Sequence, residues 1–135
     1  MAEIKKIHHV GIATTDIDQA LKFWKDALGL KVDRVEEVPD QKVQVAFIPL
    51  GESEVELLKP TTAESATAKF LAERGGGMHH LCLEVDDLKA KLSDLKAKDV
   101  RLINEEPLVL PGRKMAFVHP KSTGGVLLEL YEITE

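Results

Sequence analysis

An α+β fold is what the sequence predicts: two βαβββ modules that form a curved mixed sheet around a cleft. Three observations carry the expectation. The stretch IHHVGIATTDIDQAL from Ile7 returns as MHHLCLEVDDLKAKL from Met78, with His8-His9 matched by His79-His80 and Asp16 by Asp87, 71 positions apart. Strand-like and helix-like stretches then follow in the same order in both halves. The halves also close alike, FIPLGESEVELL in the first and AFVHPKSTGGVLLEL in the second, the second hairpin loop being three residues longer. Repetition at a fixed offset is the signature of a duplicated supersecondary unit. A module of roughly 65 residues buries too little surface to be stable alone, so the two are expected to share one domain. The domain covers residues 1–135, with module 1 at about 6–60, a linker helix at 61–77 and module 2 at about 78–135.

Taken in order, Lys6–Ala13 reads as a strand rich in Ile, Val and His. Asp16 is placed as an N-cap, with Gln19 at capping-box spacing. Ile17, Ala20, Leu21, Trp24, Ala27 and Leu28 follow a helical stripe, and Gly29 closes it. Leu30–Val38, Lys42–Leu50 and Ser53–Lys59 read as strands. A short helix with Phe70 and Leu71 inward is predicted over Thr61–Arg74, broken by Gly75-Gly76-Gly77. The second module repeats the pattern. It has a strand at His79–Val85, then a helix capped by Asp86 or Asp87 and carrying Leu88, Leu92 and Leu95. Strands follow at Val100–Asn104, Arg113–His119 and Gly125–Ile133.

Composition narrows the function. Net charge is -5 and no long basic tract occurs, which argues against nucleic acid as the main partner. No apolar run approaches the roughly 20 residues of a membrane span, and MAEIKKIHHV has no secretory core. Cys82 stands alone, which excludes an internal disulfide and fits a reducing, cytoplasmic setting. It reads as a core filler, as Trp24 reads as helix core.

Four polar residues stand on otherwise apolar strands: His9, Glu56, His80 and Glu129. A buried carboxylate is costly unless it is paired or metal-bound. Each half offers one His on its first strand and one Glu on its last, so a two-His, two-carboxylate metal site is expected. Imidazole favours Co, Ni, Zn or Fe, and carboxylate widens the choice toward Mn. Strand alternation sends His8 and His79 to the other face.

HHVGIATTDIDQALKFW, Gly29-Leu30, GGGMHHLCLEVDDL and FVHPKSTGGVLLEL together resemble the vicinal-oxygen-chelate, or glyoxalase-like, superfamily over nearly the whole chain. The HPKxxxGVLxEL ending is similar to the acyl-CoA epimerases within it. The resemblance implies that fold, a homodimer, a divalent metal with Co2+ foremost (Mn2+, Ni2+ or Zn2+ as alternatives), and a CoA thioester substrate. It implies His9, His80 and Glu129 as ligands, with Glu56 at a position that is Gln or Glu in other members. The implied reaction interconverts (R)- and (S)-methylmalonyl-CoA by deprotonation and reprotonation at C2. Some relatives place a further catalytic Glu on the third strand, where this chain has Val45 beside Gln44, so Glu129 and Glu56 are assigned the two faces. The CoA moiety is expected to meet Lys121 and Arg113, with Lys114, Lys59 and Lys69 as further cations. Glyoxalase-type lyases or isomerases, Fe(II) dioxygenases and metal-free binding proteins of the same superfamily are the competing readings.

Overall fold

The computed structural model describes residues 2–135. The chain divides into two units: His9–His79, and the first residues up to His8 together with His80–Glu135. Strand β1, Ile4–Ala13, therefore serves both, its first part in one unit and its last part in the other.

In the His9–His79 unit the sheet order is β2 (Arg34–Val38), β3 (Val43–Leu50), β4 (Ser53–Pro60), β1. β1 runs parallel to β4, and the other neighbours are antiparallel. The Asp16 carboxylate accepts the Gln19 N–H at 3.1 Å and starts helix α1, Ile17–Leu21. The stripe continues through Lys22–Ala27 with a wider pitch, in which the Leu28 N–H reaches back to the Phe23 carbonyl. One face of the sheet, with Ala46, Ile48, Val55 and Leu57, packs on Ile17 and Trp24. Alternation sends Val43, Val45 and Leu58 to the opposite face, where they form a second apolar cluster with Val38 and Phe47. Helix α2, Ala66–Arg74, begins later than the sequence suggests because the Ser65 hydroxyl caps it, accepting the Ala68 N–H. Gly75 ends it at φ 77°, a left-handed conformation that favours glycine.

In the other unit the order is β5 (Gly77–Val85), β8 (Leu128–Ile133), β7 (Arg113–Val118), β6 (Leu108–Leu110). Helix α3, Leu88–Ala97, is capped by Asp87, whose carboxylate accepts the Ala90 N–H. The Glu132 carboxylate also accepts the Leu88 N–H, from β8. Leu88 and Leu92 are buried against Val85, Ala116, Val118 and Leu130. Replacing Leu92 with Ala is expected to lower unfolding free energy by about 2–5 kcal/mol in denaturant titration. A loss under about 1 kcal/mol would show that this cluster is not a rigid core.

Two expectations fail here. Val100–Asn104 is not a strand. It makes a single bridge, Leu102 to Val118, with the Ile103 N–H donating to the Phe117 carbonyl and the Arg101 carbonyl accepting the His119 N–H, and the Asn104 amide oxygen accepts the Phe117 N–H at 2.8 Å where a further ladder bond would form. The fourth strand is Leu108–Leu110, three residues following Pro107, too short for any periodicity to mark. Likewise Leu30–Asp33 precedes β2 as irregular chain, and Gly125–Leu127 precedes β8. Among the described residues, no helix is long and apolar enough to cross a membrane.

Candidate active site

In the first unit, Glu56 on β4 pairs in register with Gly11 on β1 and with Phe47 on β3. Gly11 has no side chain to block the approach, and His9, two residues earlier on the same face, turns its ring to the carboxylate. His9 Nδ1 lies 3.3 Å from Glu56 Oε2. His9 is 2% exposed and Glu56 8%.

The second unit repeats this construction. Glu129 on β8 pairs with Cys82 on β5 and with Phe117 on β7. His80 stands two residues before Cys82, and its Nε2 lies 3.2 Å from Glu129 Oε1, with both side chains buried. Its ring meets Phe117 edge-on at 6.2 Å. Each unit therefore holds one buried imidazole–carboxylate pair, lined by a phenylalanine. All four residues singled out in the sequence are in these pairs. Buried carboxylates beside imidazoles are donors that a divalent cation can use, and neither pair contains a nucleophile.

The partner histidines leave the pairs. His79 sits edge-on to Phe70 of α2, ring centroids 5.0 Å apart, as strand alternation requires. His8 instead meets the Tyr131 ring at a tilt of 45°, centroids 4.6 Å apart. Tyr131 shares the Glu129 face of β8, so His8 does not lie under a helix. Val45 is buried in the apolar cluster on the Glu56 face, and it brings no acid or base there. Cys82 is fully buried, a core residue as expected.

The cations are placed less centrally. Lys121 is exposed on the tight turn Pro120–Ser122, its N–H donating to His119 Nδ1 at 3.0 Å. The His119 imidazole is held below its ordinary pKa, first by desolvation and then by the charges of Arg101 and Lys121. Lys59 and Lys69 are exposed. Arg113 opens β7, half-buried, its guanidinium carbon 5.9 Å from the centre of the Tyr131 ring. Neither Tyr131 nor the Val43–Val45–Leu58 cluster stands out in the sequence. The parity of each strand relative to its glutamate is the signal that could have found them.

Comparison with known proteins places this architecture. The chain belongs to the Glyoxalase/Bleomycin resistance protein/Dioxygenase superfamily, whose family model matches residues 8–117. Within that superfamily its relatives include several methylmalonyl-CoA epimerases. The mitochondrial methylmalonyl-CoA epimerase of Homo sapiens is 42% identical over 127 residues, covering 93% of this chain and 72% of that one. The ethylmalonyl-CoA/methylmalonyl-CoA epimerase of Cereibacter sphaeroides is 36% identical over 133 residues, 96% of this chain and 99% of that one. A solved methylmalonyl-CoA epimerase in complex with methylmalonyl-CoA and NH4+ superposes with a TM-score of 0.89 at 34% identity, covering 98% and 96% of the two chains.

Proposed function

We propose that this chain is an isomerase that interconverts (R)- and (S)-methylmalonyl-CoA. The repeated buried pair, His9–Glu56 and His80–Glu129, carries the reading. Epimerisation needs a proton taken from one face of C2 and another returned to the opposite face. Two carboxylates in equivalent settings suit that exchange, because each can act as base in one direction and acid in the other. Glu129 and Glu56 take these roles. Val45 stands where some relatives carry a further acid, so no third carboxylate is assigned. Phe47 and Phe117, paired with the two glutamates, keep water from the reacting carbon.

His9, Glu56, His80 and Glu129 are the residues that would hold a divalent ion. Two imidazoles and two carboxylates form a donor set of intermediate softness, which fits Co2+ and also admits Mn2+, Ni2+ or Zn2+. When bound, such an ion stabilises the negative charge that develops on the thioester oxygen as C2 loses its proton. Lys121 and Arg113 are assigned to the anionic groups of the acyl-CoA. We take the protein to act in the cytoplasm as a homodimer, a reading supported by the single buried cysteine for the first and by family resemblance for the second.

The test is hydrogen exchange at C2 of methylmalonyl-CoA in deuterated water, with Co2+ and with a chelator. Metal-dependent label uptake accompanied by inversion is the expected result. No exchange in metal-loaded protein would remove the substrate assignment and turn attention to glyoxalase-type substrates.

A further inference from the structure

The faces that carry the glutamates repeat the same register in both modules, with the same Phe–Glu pair and different residues beyond it. On the Glu56 face, β3 and β4 present Phe47 opposite Glu56, Val45 opposite Leu58, and Val43 opposite Pro60. On the Glu129 face, β7 and β8 present Phe117 opposite Glu129, Met115 opposite Tyr131, and Arg113 opposite Ile133. Val43, 3% exposed in an apolar cluster, is thus the counterpart of a guanidinium. Its neighbour Leu58 is the counterpart of Tyr131. A duplication that keeps its apolar wall in one copy and charges it in the other marks that copy for a polar ligand.

The guanidinium itself is incompletely satisfied. Among the described residues, Arg113 Nε is a buried side-chain donor without a hydrogen-bond partner. A buried N–H on a charged group is expensive to leave unpaired. The backbone around it is fixed. Arg113 pairs with Leu110 on one side and Ile133 on the other, and the Gly112 carbonyl accepts the Thr134 N–H at 3.0 Å. The side chain leans across to Tyr131, one residue pair nearer to Glu129 along β8. One such step is roughly 7 Å. That span suits the short malonyl unit, whose free carboxylate lies one bond from C2. It does not suit phosphates at the far end of a pantetheine arm, which would also remain in solvent.

Building on the epimerase reading, we infer that Arg113 binds the free carboxylate of the malonyl thioester and so determines specificity for carboxylated acyl-CoAs. Its planar fork matches a carboxylate with two parallel hydrogen bonds, and the Tyr131 ring supports the guanidinium from one side.

Arg113→Met and Arg113→Lys, metal-loaded, test this against three ligands. These are methylmalonyl-CoA, methylmalonyl-pantetheine (which lacks the nucleotide phosphates) and isobutyryl-CoA (in which a methyl replaces the carboxylate). In Arg113→Met, kcat/KM is expected to fall about 10- to 100-fold on both methylmalonyl thioesters alike. Inhibition by isobutyryl-CoA is expected to be unchanged or tighter. Arg113→Lys, which keeps the charge and loses the fork, should fall between. A defect that disappears with methylmalonyl-pantetheine assigns Arg113 to a phosphate and overturns the inference. Equal weakening of isobutyryl-CoA assigns it a structural role and also overturns it. Wild-type protein that does not turn over methylmalonyl-CoA removes the epimerase reading as well, whereas wild-type turnover with Arg113→Met unimpaired removes only this inference.

Discussion

Glu129→Gln is expected to lower the rate of C2 proton exchange by about 10³-fold or more, because positioned acid–base groups contribute in the range of 10² to 10⁴. Gln has the shape of Glu and retains an oxygen 3.2 Å from the His80 position, so the strand and the pairing geometry survive. What is lost is the group able to take and return a proton. The variant should keep its melting temperature within a few degrees while exchange collapses. Lys121→Ala, at an exposed turn, should cost less than about 10-fold by the same assay, since a solvated cation gives little. Comparable losses in the two variants would show that Glu129 has no special part in the chemistry.

His80→Ala is expected to remove metal binding and turnover together. The imidazole is 8% exposed, and its removal takes one contact, at 3.2 Å, from the buried Glu129 carboxylate. A buried carboxylate that loses a hydrogen-bond partner is destabilising, so the metal-free variant should also be less stable than the wild type. Calorimetric titration with Co2+ reads the first effect and chemical denaturation the second. Full turnover in His80→Ala, or in wild-type protein stripped of metal, would contradict a metal-assisted epimerase. His9→Ala, its counterpart beside Glu56, should behave in the same way, because Gly11 and Cys82 give the two histidines the same register to their glutamates.

Much of this was legible in the chain. The histidine pairs and the closing Val-Glu-Leu and Leu-Glu-Leu segments located the four members of the two buried pairs, because a polar side chain that recurs at the same place on two apolar strands must be paired or bound in both. Capping also read correctly: Asp16 and Asp87 are N-caps in the structure. The losses have local causes. Leu108–Leu110 is too short to show alternation, and Val100–Asn104 has a strand's composition while side chains interrupt its ladder, Ser122 Oγ accepting the Arg101 N–H and Asn104 Oδ1 the Phe117 N–H. The Tyr131 partner of His8 could not follow from alternation, which gives the face of a side chain and not the ring it meets. Arg113 was legible as a cation near the end of a hairpin. Its unpaired buried nitrogen is a property of packing alone.

That same strand bears on how the two halves depend on each other. The Glu3 N–H and carbonyl both bond to Asp86, and Lys5 pairs with the buried Glu84 at 3.3 Å, so the second module is completed by the first residues of the chain. Severing the peptide at the triglycine 75–77 would therefore not release two self-sufficient repeats. One fragment would carry a strip of sheet belonging to its sibling, and the sibling would lack it. The two copies thus depend on one strand, and a circularly permuted version opened at 75–77 would keep that strand covalently joined to both, where a bisected version would leave the second half without it.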